Sequence, residues 1–153
     1  MATIIQVQKT FQELSNRKTI EKLLFEEVKR FSSLIIDIQQ ERLSKGKNTE
    51  GLILGTYKRS TELASLFGEL KPRQPKREGE PYNFEWTGGF FDGMQLNVFD
   101  DKAEFISKGE STQDLLKKHD DLMGLDEEGR QSALEEFLFN AFADRIRNKA
   151  EIL

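Results

Sequence analysis

Met94-Gln95-Leu96-Asn97-Val98-Phe99, then Asp100-Asp101-Lys102, then Ala103-Glu104-Phe105-Ile106-Ser107: the flanks alternate well enough for two strands and the centre has turn chemistry, which predicts a β-hairpin. Working outward, the remaining strong periodicities belong to helices. Ile20, Leu23, Leu24, Val28, Phe31, Leu34, Ile35 and Ile38 recur at three- and four-residue steps, predicting a long first helix over residues 18–44, with Gly46 in the following polar segment as its terminator. Phe11 and Leu14 either start that helix or form a short turn before it. Near the other end, Leu134, Phe137, Leu138, Ala141, Phe142 and Ile146 form one stripe of a helix over about 127–148, opened by Asp126 as N-cap and closed by Arg145, Arg147 and Lys149. The expected class is α+β. It has long N-terminal and C-terminal helices packed on a small antiparallel sheet containing the 94–107 hairpin, within a single domain spanning residues 1–153.

Between these elements the signals are mixed. Leu52-Ile53-Leu54 has strand character and Gly55 punctuates it, while Thr61 to Phe67 can be a turn or two of helix, so residues 52–67 stay open between the two. Leu70 to Pro81 contains all three prolines, which rules out a helix interior or a central strand and predicts an extended loop. Thr87 is placed to cap a short helix through Phe90, Phe91 and Met94, and Ser111 with Asp114 resembles a capping box opening a helix through Leu115, Leu116 and His119.

Composition narrows the chemistry. With no cysteine, disulfides, thiolate metal sites and cysteine nucleophiles are excluded, in keeping with synthesis in a reducing cytoplasm. The apolar run near the N-terminus is too short for a signal-peptide core and no stretch reaches membrane-spanning length, so neither secretion nor a membrane partner is expected. Net charge is -4, distributed unevenly: residues 1–77 hold fifteen Lys/Arg and nine Asp/Glu, residues 78–153 eight and eighteen. If the halves form different faces, the basic patch of one copy can meet the acidic patch of the next, a heterologous contact of the kind that closes rings.

Candidate sites are few. His119 beside Asp120 and Asp121 lacks further residues with ligand spacing and reads as a solvated helix-end histidine; no cofactor is expected. Asp92, Asp100, Asp101 and Glu104 surround the hairpin, which makes a divalent-metal nuclease formally possible, but turn chemistry accounts for Asp100 and Asp101. The loop cations Lys71, Arg73, Lys76 and Arg77 suit an acidic neighbouring subunit or non-specific contact with DNA phosphates, or simply solvent. Their replacement by Ser is expected to leave the monomer folded. Tyr82, Phe84, Trp86, Phe90 and Phe91 form the densest aromatic cluster, either core or interface anchor. Candidate subunit-interface residues are therefore Lys71, Arg73, Lys76, Arg77, Tyr82, Trp86, Phe90 and Phe91.

Gly55-Thr56-Tyr57 with Thr61, followed by Gly79-Glu80-Pro81-Tyr82-Asn83-Phe84-Glu85-Trp86-Thr87-Gly88-Gly89-Phe90-Phe91-Asp92-Gly93-Met94, resembles phage virion-morphogenesis and neck or tail-completion proteins, the head-tail joining and tail-terminator-like group. In that family a Gly-x-Tyr segment, a Pro/Lys-rich loop and a Thr-Gly turn precede a β-hairpin. The resemblance implies a non-enzymatic structural subunit that forms a ring with itself and joins other virion neck or tail proteins. It would be made in the host bacterial cytoplasm and located in the virion. A small adaptor or inhibitor that binds a host or phage partner through the aromatic cluster is the alternative expectation.

Overall fold

Helices dominate residues 4–151, the part of the chain that the computed structural model describes. In chain order they run α1 (Ile4–Ser15), α2 (Arg17–Arg30), α3 (Ser32–Ser44), α4 (Arg59–Phe67), α5 (Gly89–Asp92), β1 (Met94–Val98), β2 (Ala103–Ser107), α6 (Thr112–Lys118), α7 (Glu127–Ala133), a π turn (Leu134–Leu138) and α8 (Phe139–Glu151). The class is α+β, and β1 and β2 form a two-stranded sheet closed by Phe99 N–H donating to Lys102 O at 2.8 Å. By its internal contacts the chain divides into two compact units. The first takes the described residues up to Ile35, Leu96–Glu104 and those from Gln131 onward; the second takes Ile36–Gln95 and Phe105–Arg130.

In the first unit α1, α2 and α8 pack on one another. Phe31 and Phe137 stack with centroids 5.1 Å apart. Beside them Glu27 is 2% exposed, and a buried carboxylate needs charged donors to compensate its lost hydration. Arg145 supplies one, donating to Glu27 Oε1 at 2.7 Å and also reaching Glu26, while Arg30 approaches Glu27 Oε2 at 3.4 Å. Lys149 pairs with Glu13 at 3.2 Å, tying α8 to α1 as well.

In the second unit Leu43, Phe90, Phe91, Met94 and Leu122 form the core, surrounded by Ile36, Leu54, Phe84, Phe105, Leu115, Leu116 and Met123. Buried polar groups of α3 hold the chain that follows α6: Gln39 Nε2 donates to Leu122 O at 2.8 Å, and Arg42 reaches Leu122 O, Lys47 O and Gln39 Oε1. At α5, backbone meets backbone. A Cβ on Gly109 would lie 1.8 Å from Gly89 O, and one on Gly93 would lie 2.3 Å from Gly109 N, so only glycine permits this approach.

Several expectations need correction. The helix over 18–44 is interrupted at Phe31, where the N–H bonds Glu27 O and Lys29 O and the next helix restarts at Ser32; Ser32 and Ser33 are weak helix formers that favour such a break. Before it, Asn16 caps α2 through Lys18 N–H, so Phe11 and Leu14 belong to a separate helix. Residues 52–67 resolve into single bridges, Lys47 with Ile53 and Thr56 with Pro81, followed by α4; Leu52–Leu54 does not join the hairpin. Thr87 is not the cap of α5. Gly88 holds that position in left-handed conformation, and Met94 begins β1. Ser111 likewise sits left-handed at the start of α6 and makes no side-chain cap. Leu34 and Leu134 leave their helix stripes for solvent, at 45% and 49% exposure. Asp126 does cap α7, accepting from Gly129 N–H at 2.8 Å, and Gly46 follows α3 at φ 72°.

Phe137→Ala is expected to lower the unfolding free energy by about 2–3 kcal/mol, the lower part of the range for a truncated aromatic because the ring is only half-buried. Urea denaturation of the two proteins measures it, and a difference below about 0.5 kcal/mol would remove the Phe31–Phe137 stack from the account of the first unit.

Candidate functional site

The Pro-rich stretch forms no helix and no strand, so its order comes from side chains. Asn83 is their meeting point. Its Oδ1 accepts from Tyr57 Oη–H at 3.0 Å, from Lys76 Nζ and from Glu85 N–H at 3.3 Å, and its backbone N–H donates to Tyr57 Oη at 2.9 Å. Lys76 Nζ also donates to Glu85 O at 3.0 Å and lies 5.4 Å from the Tyr57 ring centroid. The Lys76 side chain is buried. Burial pushes its amine down to about 8, against an opposing pull from Glu85, and burial also raises the Tyr57 hydroxyl.

Above this node opens a cavity of about 580 Å³ in the second unit, walled by Tyr57, Tyr82, Phe84, Trp86 and Phe90 on its aromatic side, with Lys76, Glu85, Glu110, Lys118 and His119 as its ionisable groups. Tyr82 packs edge-on to Tyr57 at 5.1 Å and to Phe84 at 6.1 Å. Phe84 is held at φ 54°, a left-handed backbone that costs a bulky residue roughly 1 kcal/mol or more and that surrounding contacts must impose. His119 corrects the expectation of a solvated histidine: it is half-buried with its ring 5.8 Å from Phe84 and 6.1 Å from Tyr82.

The eight residues singled out from sequence separate by position. Phe90 and Phe91 are core, and Lys76 is buried within its own unit, so their side chains are occupied internally and out of a partner's reach in this conformation. Arg73 donates from Nη1 and Nη2 to the two Asp92 oxygens at 3.0 and 2.7 Å, which raises the guanidinium and holds the Asp92 carboxyl below its usual range. Tyr82 and Trp86 are half-buried at the cavity, and Lys71 and Arg77 face solvent. The expectation that all four loop cations can be replaced without loss of fold therefore holds no longer for Lys76, whose ammonium fills donor positions inside the unit.

Sequence reasoning left α4 open, allowing a turn or two of helix over Thr61 to Phe67 without assigning its faces. Its inner face is Thr61, Glu62 and Ser65, with Ser65 Oγ 2.8 Å from Glu62 O and 3.3 Å from Lys76 O. Its outer face is Leu63, Leu66 and Phe67, exposed at 43%, 56% and 81%. A helix ordinarily turns such a stripe inward; here the small polar side packs and the apolar side meets water. The three-four spacing was visible, but nothing in it said which way the helix faces.

Chemically, the cavity offers aromatic faces and separated charges rather than a nucleophile paired with a base. Two of the four acids weighed for a nuclease have cationic partners: Asp92 bridges to Arg73 and Glu104 to Lys102. Among the described residues no group of three or more His, Asp or Glu is arranged to hold a metal ion, and no helix is long and apolar enough to cross a membrane. Comparison with protein-family models, curated proteins and solved structures returns no match.

The buried Lys76 sets a pH dependence. Its folded value near 8 lies below the ordinary 10.5, so between them the unfolded chain binds more proton and stability rises with pH. Wild-type stability should gain on the order of 1–2 kcal/mol from pH 7.5 to 9.5, a rise absent from Lys76→Met. Chemical denaturation of both proteins across that interval measures it, and parallel profiles would show that the amine keeps its ordinary affinity for the proton.

Proposed function

We propose that this chain is a non-enzymatic structural subunit of a phage neck or tail, acting in head-tail joining or tail completion through ring assembly with itself and contact with other virion proteins. The observation that carries the reading is the outward apolar face of α4, because leaving Leu66 and Phe67 in water is unfavourable unless another surface covers them. The sequence resemblance over Gly55–Tyr57 and Gly79–Met94 adds support, since those residues lie together around one node and lead directly into the hairpin. In such a subunit α1, α2 and α8, packed on one another, are the rigid body, and the exposed Arg77 remains available to an acidic neighbour or to DNA phosphates, while Lys71 donates to Leu66 O. Its place would be the virion, after synthesis in the host cytoplasm.

One observation favours a second reading. The aromatic cavity, with Tyr82 and Trp86 at its wall, suits a small adaptor or inhibitor that holds one host or phage partner there, and such a protein would remain a monomer or dimer.

Light scattering on size-exclusion fractions across protein concentration and salt, with imaging of any large species, separates the two. Closed rings of one size are expected. A mass that stays at one or two chains throughout would count against ring assembly and favour the adaptor.

A further inference from the structure

Ser111, Leu115 and Lys118 line the aromatic cavity at steps of four and three residues, so α6 lays one face along it. Glu110 stands just before the first turn of α6, Lys118 is its last residue, and His119 follows. Its seven residues advance roughly 10 Å, which sets a carboxylate at one end of this wall and basic groups at the other. Among the described residues, the side chains of Glu110 and Lys118 form no ion pair or hydrogen bond, and neither the His119 ring nitrogens nor the Trp86 indole N–H has a hydrogen-bond partner. Nearby charges are engaged: Lys117 lies 4.0 Å from Asp114, and Glu85, the other carboxylate of the cavity, acts on the buried Lys76.

Backbone strain gathers at the same place. Phe84 and Ser111, at φ 54° and 66°, are the described non-glycine residues with positive φ, and both line the cavity. Such strain persists only where the surroundings impose it, and it concentrates at ligand clamps. We infer that the cavity binds a small aromatic zwitterion with its charges on opposite sides of the ring: the ring against Tyr82, Phe84 and Trp86, an ammonium at Glu110, and a carboxylate at Lys118 and His119. A volume of about 580 Å³ is that of a small-molecule site. Aromatic walls alone accept any flat ring, whereas opposite charges at the two ends of one wall also select its polarity and length. A ring subunit and a monomer can carry such a ligand alike, so the site is independent of how the chain assembles.

The probe is 4-(aminomethyl)benzoate, which holds its two charges across one ring. Trp86, the single tryptophan of the chain and part of the cavity wall, reports binding by its emission, and calorimetry gives a second readout. Saturable binding is expected, roughly tenfold tighter than that of 4-methylbenzoate or 4-methylbenzylamine, each of which lacks one charge. Phenylalanine, with both charges on one carbon, should fall behind by a similar factor. Glu110→Gln should bind the probe no better than 4-methylbenzoate, and Lys118→Met no better than 4-methylbenzylamine. Both side chains are exposed, and thermal melts verify that the variants fold. The site is overturned by absence of binding in both readouts, by any of the three analogues matching the probe, or by variants that keep the wild-type preference.

Discussion

The Asn83 carboxamide supports the part of the second unit that has no regular structure. A segment with three prolines cannot stitch itself together by backbone ladders, because proline donates no N–H and its neighbours are pushed toward extended geometry. Here one carbonyl oxygen collects a phenol, an ammonium and a backbone amide, and the NH₂ of the same side chain reaches Pro75 O at 3.4 Å. Lys76 then passes the constraint to α4 through the contact of its carbonyl with Ser65. The position of α4, and with it which side meets water, follows from a polar node rather than from an apolar one.

The same division of labour explains how much could be read from the residues alone. The hairpin was legible because period-two alternation and turn residues coincide there, and the start of α7 was legible because Asp126 is a strong cap followed by acids. Burial of Lys76 was not, since a lysine in a proline-rich basic run is ordinarily solvated, and its acceptors become visible only when the loop folds back on Tyr57. His119 was misread for a related reason: the rings of Tyr82 and Phe84 that enclose it are far away in sequence. The interruption at Phe31 was hidden by a stripe that continues across it. Of the candidate site, the aromatic residues were identified correctly as a cluster, but which of them are core and which line the cavity depends on the fold around α5.

The two units settle their buried charge differently. In the first, Glu27 is compensated by arginines that remain partly in water, an arrangement that spares Arg145 full dehydration. In the second, Arg42 gives its guanidinium to the backbone carbonyls of Lys47, just past α3, and of Leu122, so one cation fastens two separate loops at once.

The π turn at Leu134–Leu138 also bears on which changes of chain length the protein can accept. It is the form a helix takes when it accommodates one residue more than its regular ladder counts. Its five residues advance the chain about as far round the axis as four of a regular α-helix, so deleting one of them would restore an unbroken α-helix and leave everything beyond it facing nearly the same way. Arg145 would keep its reach to Glu26 and Glu27, and Lys149 to Glu13. The same deletion one turn further on, where no irregularity absorbs it, would rotate the rest of α8 by roughly 100° and strand a buried carboxylate more than a hundred residues away in sequence.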